Sequence, residues 1–402
     1  MPAYENIGAS FLRLLPLILR PMVIAVNARF LLNSLEGFGY FTKEVLALLT
    51  RQNPEHRFHF FFDRPFHNDF IFSPNVTGHV LPPPARHPLL WKYWYDVRVS
   101  LQLKKIKADV FLSPDGQCSL TTTVPQCLVV HDLGFLHYPE GYQKSHLAYF
   151  KRYTPKFIGK AKTVATVSAF SKEDIIKQYK TPNEKISVVY SGVKPSFGPV
   201  PFEEQTAVKE QYTGGAEFFL YTGAIQPRKN LMNLLKAFSI FKRRMQSGMK
   251  LVLAGRLAWK NDEFLTLLRT YKYKDDVVLT GYLEEGELAR LTASAYAAVY
   301  PSFFEGFGVP VLEAMQCGVP ALTSKDSSME EISEGAGLYF DPYNVDDIAY
   351  KMMFIYKNED ERKALIEKGK PVAANYTWQR TADLLWECML KAAGKDRVGI
   401  LQ

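Results

Sequence analysis

Apolar residues in this chain fall in short blocks, each closed by glycine, proline or a polar turn. Blocks that are apolar throughout, rather than alternating, mark strands buried on both faces, the condition of a parallel sheet. In the first half they lie at 22–27, 58–62, 109–113, 126–132, 161–167 and 186–190. In the second half they lie at 218–221, 250–255, 277–281, 297–300 and 319–323. Between them, apolar positions recur at helical spacing over 42–50, 231–244, 284–291, 345–357 and 380–393. Residues 73–91, with Pro82-Pro83-Pro84, read as loop. Ser171, with Asp174 three positions on, reads as a capping box. Alternating strands and helices predict α/β architecture. At 402 residues the chain is too long for one ordinary core, so two domains are expected. The turn-rich segment 191–199 suits the link between them.

The block at 297–300 heads the most informative stretch. Pro301 stops it, and Phe303-Phe304-Glu305-Gly306-Phe307-Gly308-Val309-Pro310 follows. Pro310 suits a first helical position, where its missing N–H is not needed, and Gly318 suits the position just past a helix end, where positive φ is cheap. The order is strand, glycine loop, helix, strand. Two glycines ahead of a helix leave amide N–H groups uncovered, and the helix dipole adds partial positive charge there. Together they make an anion site fit for a phosphate. Glu305 and Glu313 flank this cradle and cannot serve the phosphate, because they repel it. Carboxylates only accept hydrogen bonds, which suits the vicinal hydroxyls of a ribose or a hexose. The stretch reads as a site for a phosphate with a sugar on either side. The plain alternative is a strand–turn–helix with two solvated glutamates.

Two further units repeat the theme. Residues 223–230 run Gly-Ala-Ile-Gln-Pro-Arg-Lys-Asn between a strand and a helix. They place the planar fork of Arg228 and the point charge of Lys229 at a strand-end loop, where both suit phosphate. After the first strand, Gly37-Phe38-Gly39 offers another glycine loop, with a plain tight turn as the alternative. The block at 126–132 ends in His131-Asp132. Ligands of open α/β sheets sit beyond the carboxyl ends of strands. A histidine there can orient or deprotonate a hydroxyl, although a lone histidine also serves structure.

These motifs resemble the donor site of retaining glycosyltransferases of the GT-B fold, the "group 1" family with many bacterial mannosyl- and glucosyltransferases. The match is specific over 218–230 and 297–324 and thinner in the first half, and it extends over about 22–393, with 327–331 resembling the family's loop and 337–342 its final strand. The resemblance implies that Glu305 contacts the transferred sugar and Glu313 the nucleotide ribose. Backbone at Gly306, Phe307, Gly308 and Val309 would hold sugar and diphosphate, joined by Gly223, Arg228 and Lys229. Tyr282 and Leu283 would meet the base. Gly37 and Gly39 would face the cleft near the diphosphate, with His131 and Asp132 on the acceptor side. The catalytic group so implied is His131, Glu305, Arg228 and Lys229. The expected fold is α/β: two Rossmann-like domains facing across a cleft, at 22–195 and 196–376, with 377–402 crossing back onto the first.

The expected activity is transfer of a hexose, with mannose from GDP-mannose favoured over a UDP-sugar, to a saccharide or lipid-linked saccharide in cell-surface polysaccharide assembly. The nucleotide-sugar is a substrate, so no cofactor is expected. No Asp-x-Asp occurs, and no metal is expected either, since Arg228, Lys229 and the loop amides can neutralise a leaving diphosphate. A nucleotide-sugar epimerase on the same fold and a non-catalytic sugar-nucleotide-binding protein are the rival readings.

Composition adds direction. The net charge is +8, but residues 1–200 carry 24 Lys and Arg against 14 Asp and Glu, whereas 201–402 carry 25 against 27. A basic first half points to an anionic partner, a membrane surface or a lipid diphosphate. Nucleic acid is set aside because no recognised binding motif appears. The aromatic and basic stretch 91–107 is either a helix packed by its rings or a membrane-interface helix. Four scattered cysteines argue against disulfide scaffolds and zinc sites. No apolar run is long enough to span a bilayer. A cytoplasmic protein is expected, peripheral on the inner membrane face. The broken apolar segment 9–22 reads as a leader ahead of a start at Met22, as a poor signal or as a surface tether.

Overall fold

The structure is a computed structural model that describes residues 21–32, 37–257 and 262–395. The segment 9–20 and residues 33–36 and 396–402 therefore lie outside the described residues. The apolar blocks become parallel strands of two sheets. The first sheet holds β1 (Val23–Asn27), β2 (Arg57–Phe62), β3 (Val76–Val80), β4 (Val110–Ser113), β5 (Gln126–Val129), β6 (Thr163–Thr166) and β7 (Ile186–Val188). Its strand order is β3-β2-β1-β4-β5-β6-β7. The second sheet holds β8 (Phe218–Thr222), β9 (Lys250–Ala254), β10 (Val277–Gly281), β11 (Ala297–Tyr300), β12 (Ala321–Ser324) and β13 (Leu338–Phe340), in the order β10-β9-β8-β11-β12-β13. In each sheet the order reverses at one place, between β1 and β4 and between β8 and β11. Loops leaving the two strands there diverge to opposite faces and open a crevice.

Seven of these strands, β1, β4, β5, β6, β8, β11 and β12, are buried at every position, which is why their blocks carry no polar alternation. The edge strand β3 lies inside the segment read as loop. Its sequence, Val-Thr-Gly-His-Val, is half exposed and lacks an apolar run, yet it pairs with β2 from Phe58–Val76 to Phe62–Val80. Residues 327–331 are likewise no loop: Ser327 caps the helix Ser328–Ser333 by accepting from Glu330 N. The helix Ala169–Tyr179 is capped by Ser168, not Ser171, because Ser168 Oγ accepts from Ser171 N at 3.0 Å. Gly39 sits buried within the helix Phe38–Gln52 and Gly37 is its N-cap, so only Gly37 belongs to a loop.

The chain passes from the first sheet to the second after β7 and returns before the helix Trp378–Ala392. That helix packs on the Phe38–Gln52 helix and on β4 to β7. Thr163 Oγ1 donates to Cys388 O at 3.0 Å and Thr381 Oγ1 to Tyr190 O at 2.7 Å. The two crossovers touch, with Val193 N donating to Tyr376 O at 2.9 Å. A Cβ on Gly192 would stand 2.5 Å from Trp378 N, so only glycine allows this approach. The stretch 91–107 is a ring-packed helix on its inner side. Trp94 and Tyr95 are buried, and Trp94 Nε1 donates to Leu81 O at 2.8 Å.

Candidate active site

Because β8 and β11 are neighbours at the reversal, the loops leaving them lie side by side. The β8 loop ends in a short turn, Pro227–Lys229, followed by Asn230 in the left-handed region at φ 62°. The Asn230 side-chain amide donates to Pro301 O at 2.9 Å and Pro342 O at 2.7 Å, which fixes the turn against the β11 loop. Arg228 and Lys229 then both reach Glu305. Arg228 Nη1 stands 2.9 Å from Glu305 Oε2, and Lys229 Nζ bonds Glu305 Oε1. Arg228 Nη1 also donates to Phe304 O. Beyond Glu305, Gly308 takes φ 110° as N-cap of the helix Val309–Gln316, with Pro310 in its first turn. The uncovered amides expected from the sequence are therefore at a helix start, next to two cations.

Burial opposes charge on Glu305, but Arg228 and Lys229 outweigh it and hold the carboxyl down at about 2. Burial also opposes the Arg228 charge, and Glu305 with Asp132 more than restores it, so the guanidinium is held above its ordinary value. Burial and the neighbouring guanidinium bring Lys229 below the ordinary lysine range, with Glu305 resisting. The three form a compact ionised set. Glu313 is different. It is 6% exposed and has no ion-pair partner among the described residues, so burial pushes its carboxyl up to about 7. Lys194 pulls the other way, and Glu285 adds to the rise.

On the facing domain, His131 follows β5. Its Nε2 lies 3.0 Å from Pro114 O. A carbonyl only accepts, so Nε2 carries the proton and Nδ1 is left as an acceptor. Burial lowers the imidazole pKa, which keeps the ring neutral. Phe38 stacks on it at 4.3 Å and Phe41 meets it edge-on at 5.0 Å. Asp132 Oδ1 accepts from Gly134 N at 2.8 Å.

The two domains enclose a cavity of about 710 Å³. Its walls bring together Gly37, Gly223, Arg228, Lys229, Tyr282, Leu283, Glu305, Gly306, Phe307, Gly308, Val309 and Glu313, with His131 and Asp132 opposite. Gly39 is not on the wall, because it packs inside its helix. The sequence did not mark Tyr40, Tyr142, Lys194 or Arg256, which also line the cavity. Lys194 lies in the segment read only as linker. Its Nζ sits 4.4 Å over the Tyr40 ring and 3.2 Å from Glu285. No local pattern distinguishes such a lysine from a solvated one.

Comparison with known proteins agrees with this fold. The family model described as "Glycosyl transferases group 1" matches residues 202–372, and "Glycosyltransferase Family 4" matches 37–197. The chain is 30% identical over 250 residues to O-antigen chain mannosyltransferase B of Escherichia coli, a match covering 62% of this chain and 66% of that protein. It is 29% identical to O-antigen chain mannosyltransferase RfbU of Salmonella typhimurium, covering 68% and 72%. The match to the serotype-specific mannosyltransferase WbdA of Escherichia coli, at 28% identity, covers 57% of this chain and only 28% of that protein. Among solved structures, WaaG, a glycosyltransferase involved in lipopolysaccharide biosynthesis, superposes with a TM-score of 0.70 at 14% identity, covering 90% of this chain and 99% of WaaG. Anabaena HepE in complex with UDP and glucose gives 0.68 at 15%, covering 91% and 98%. With two parallel-sheet domains, Arg228 and Lys229 in the cleft at the β8–β11 reversal and these matches, the chain belongs to the group 1 glycosyltransferases of the GT-B fold.

Proposed function

We propose that this protein transfers a hexose, with mannose the first candidate, from a nucleoside-diphospho-sugar to a hydroxyl of a saccharide or lipid-linked saccharide during cell-surface polysaccharide assembly. The observation that carries the reading is the Arg228–Lys229–Glu305 set beside the Gly306–Gly308 amides on the cavity wall. Two cations and a helix start neutralise the leaving diphosphate. Glu305 and Glu313 accept from sugar and ribose hydroxyls, and His131 Nδ1 accepts from the attacking hydroxyl. Retention rests on the family resemblance, and mannose on the names of the O-antigen relatives. Transfer is proposed to need no metal. This is supported by Arg228 and Lys229 in the cleft, which can themselves neutralise a leaving diphosphate.

The test is a thermal-shift panel of GDP, UDP, ADP and their hexose conjugates, with EDTA present, on wild type and Lys229→Ala. A nucleotide at 100 times its dissociation constant stabilises by about 2.7 kcal/mol. One base is expected to give that shift, to keep it in EDTA and to lose it in Lys229→Ala. No shift with any nucleotide overturns the donor site, and a shift abolished by EDTA overturns metal independence.

A lipid-linked acceptor is proposed to reach the protein from an anionic membrane surface. No helix among the described residues is long and apolar enough to cross a membrane. The outer side of the continuous helical segment at 88–106, however, shows Leu89 (75% exposed), Tyr93, Val97 and Leu101 (60% exposed), four residues apart. In a regular α-helix such a row drifts by about 40° per step. Here the wider π-helical turn Trp94–Val99 works against the drift. Exposed Arg86, Lys104, Lys105 and Lys107 flank the row. An apolar row rimmed by cations complements an anionic bilayer. Co-sedimentation with phosphatidylglycerol vesicles is expected, falling with added salt and lost in Leu89→Ser with Leu101→Ser. Equal pelleting of the double variant, or equal pelleting with phosphatidylcholine vesicles, contradicts this.

A further inference from the structure

The domains meet through polar groups that the donor site does not itself use. Helix first-turn amides have no partner inside the helix. At the start of Ala169–Tyr179, in the first domain, two of them are filled from the second domain. Glu331 Oε1 accepts from Ala169 N at 2.7 Å and Glu331 Oε2 from Phe170 N at 2.8 Å, a carboxylate on the positive end of a helix. The same turn grips the donor loop. Ser168 Oγ donates to Gly306 O at 2.7 Å. Ser171 Oγ has one hydrogen and two carbonyls in reach, Gly306 O at 3.1 Å and His131 O at 3.2 Å. Both hydroxyls are buried.

Gly306 is also the point of closest approach. A Cβ there would stand 2.8 Å from His131 O and 2.9 Å from Asp132 Cβ, so the loop fits under the acceptor-side strand end only as glycine. Next to it the Phe304 ring lies against first-domain rings, 4.7 Å from His137 and 5.7 Å from Phe170. The peptide unit is planar and trans. Holding the Gly306 carbonyl toward the first domain therefore fixes the opposite direction of Phe307 N–H, one of the amides assigned to the donor.

We propose that Ser171 and Glu331 are positioning residues for the transfer step, through which the first domain sets the 303–308 loop, so that the loop takes its sugar-holding geometry only while the domains are in contact. The proposal rests on the transfer reading above. Arg228, Lys229 and Glu313 belong to the second domain, so the nucleotide half of the donor is held without this contact. The sugar half, and the distance from its carbon to an acceptor near His131, depend on it.

The test uses the full chain with Ser171→Ala, Ser171→Thr, Glu331→Gln and Glu331→Ala, and measures nucleoside diphosphate affinity by calorimetry, kcat and KM for transfer, and the radius of gyration of the nucleotide complex by X-ray scattering. Nucleotide affinity is expected to stay within about three-fold of wild type. Losing one hydrogen bond made at the transition state costs about ten-fold in kcat, the fall expected for Ser171→Ala, with a larger fall for Glu331→Ala. Ser171→Thr keeps the hydroxyl and should recover most of the rate. Glu331→Gln keeps one acceptor and should fall between wild type and Glu331→Ala. The scattering radius of Glu331→Ala should exceed that of wild type. Unchanged kcat in folded variants overturns the proposal, as does nucleotide affinity that falls in step with kcat, because the residues would then only hold the pocket together. If the wild type binds nucleotide but transfers to no acceptor, the transfer reading fails on its own and scattering decides. A larger radius in Glu331→Ala then supports the loop contact, and an equal radius overturns it.

Discussion

Glu305→Gln is expected to bind nucleoside diphosphate more tightly than wild type, by about ten-fold, while transferring hexose at least about a hundred-fold more slowly. The opposite signs follow from the geometry. Glu305 pairs with Arg228 at 2.9 Å and with Lys229, the same cations that would hold the diphosphate. A diphosphate therefore competes with a carboxylate that is ionised across the working range, since Arg228 and Lys229 overcome its burial and hold it at about 2. Removing that charge frees two cations for the anion and lowers the local negative charge. It also removes the acceptor that meets the transferred sugar, which affects only the full donor and the transition state. The variant should be less stable without ligand by about 3 kcal/mol, because two half-buried cations lose their counter-charge. Titration calorimetry with GDP and UDP, beside steady-state rates, checks both signs. If affinity and rate fall together, Glu305 holds the nucleotide and its assignment to the sugar is wrong.

Wild type is expected to lose stability relative to Glu313→Gln as pH rises from about 4.5 to 8. Burial raises the Glu313 carboxyl to about 7 in the folded chain, against an ordinary value near 4.3 when unfolded. Below the unfolded value the group is neutral in both states and burial has no charge to penalise. Between the two values the unfolded chain releases its proton while the folded chain keeps it, so the unfolded state gains. Above the folded value the loss is complete. At about 1.4 kcal/mol per pH unit it amounts to about 4 kcal/mol. Glutamine has the same shape without the proton, so urea midpoints of the two proteins should agree near pH 4.5 and separate toward pH 8, the variant being the more stable. A donor ribose favours the ionised carboxylate, so nucleotide affinity in wild type should rise from pH 6 to 8 and stay flat in Glu313→Gln. Parallel stability curves would show that Glu313 is not buried in solution.

Much of this protein is legible in its residues because the relevant physics is local. Unbroken apolar blocks specify strands with two covered faces, and β1, β5, β8 and β11 lie where their blocks lie. Gly308, Pro310 and Gly318 begin and end a helix by their own backbone preferences, so the anion cradle at 305–309 can be read without neighbours. Where local signals are weak the reading fails. β3 has no apolar run and is a strand because β2 offers it an edge. Ser168 and Ser171 are equally good caps in sequence, and only the backbone angle of Ser168, extended at φ −154°, decides between them. Gly39 looks like its neighbour Gly37 until the helix start places one outside and one inside.

Residue order alone specifies the parts: two α/β domains, a glycine loop at a helix start, two carboxylates and two cations. How those parts face one another is set by assembly of the two sheets. Strand order makes β8 and β11 neighbours and so brings Arg228 and Lys229 onto Glu305 from 77 and 76 positions away. Both glutamates of one motif are buried, yet Arg228 and Lys229 overcome burial and keep Glu305 ionised at about 2, whereas burial without such partners keeps Glu313 protonated to about 7. Contact between the domains places Ser171 between His131 and Gly306. Spacing along a chain encodes conformation within a few residues, whereas a charge state or an inter-domain hydrogen bond depends on which distant groups exclude water from it. That exclusion exists only once the sheets are assembled.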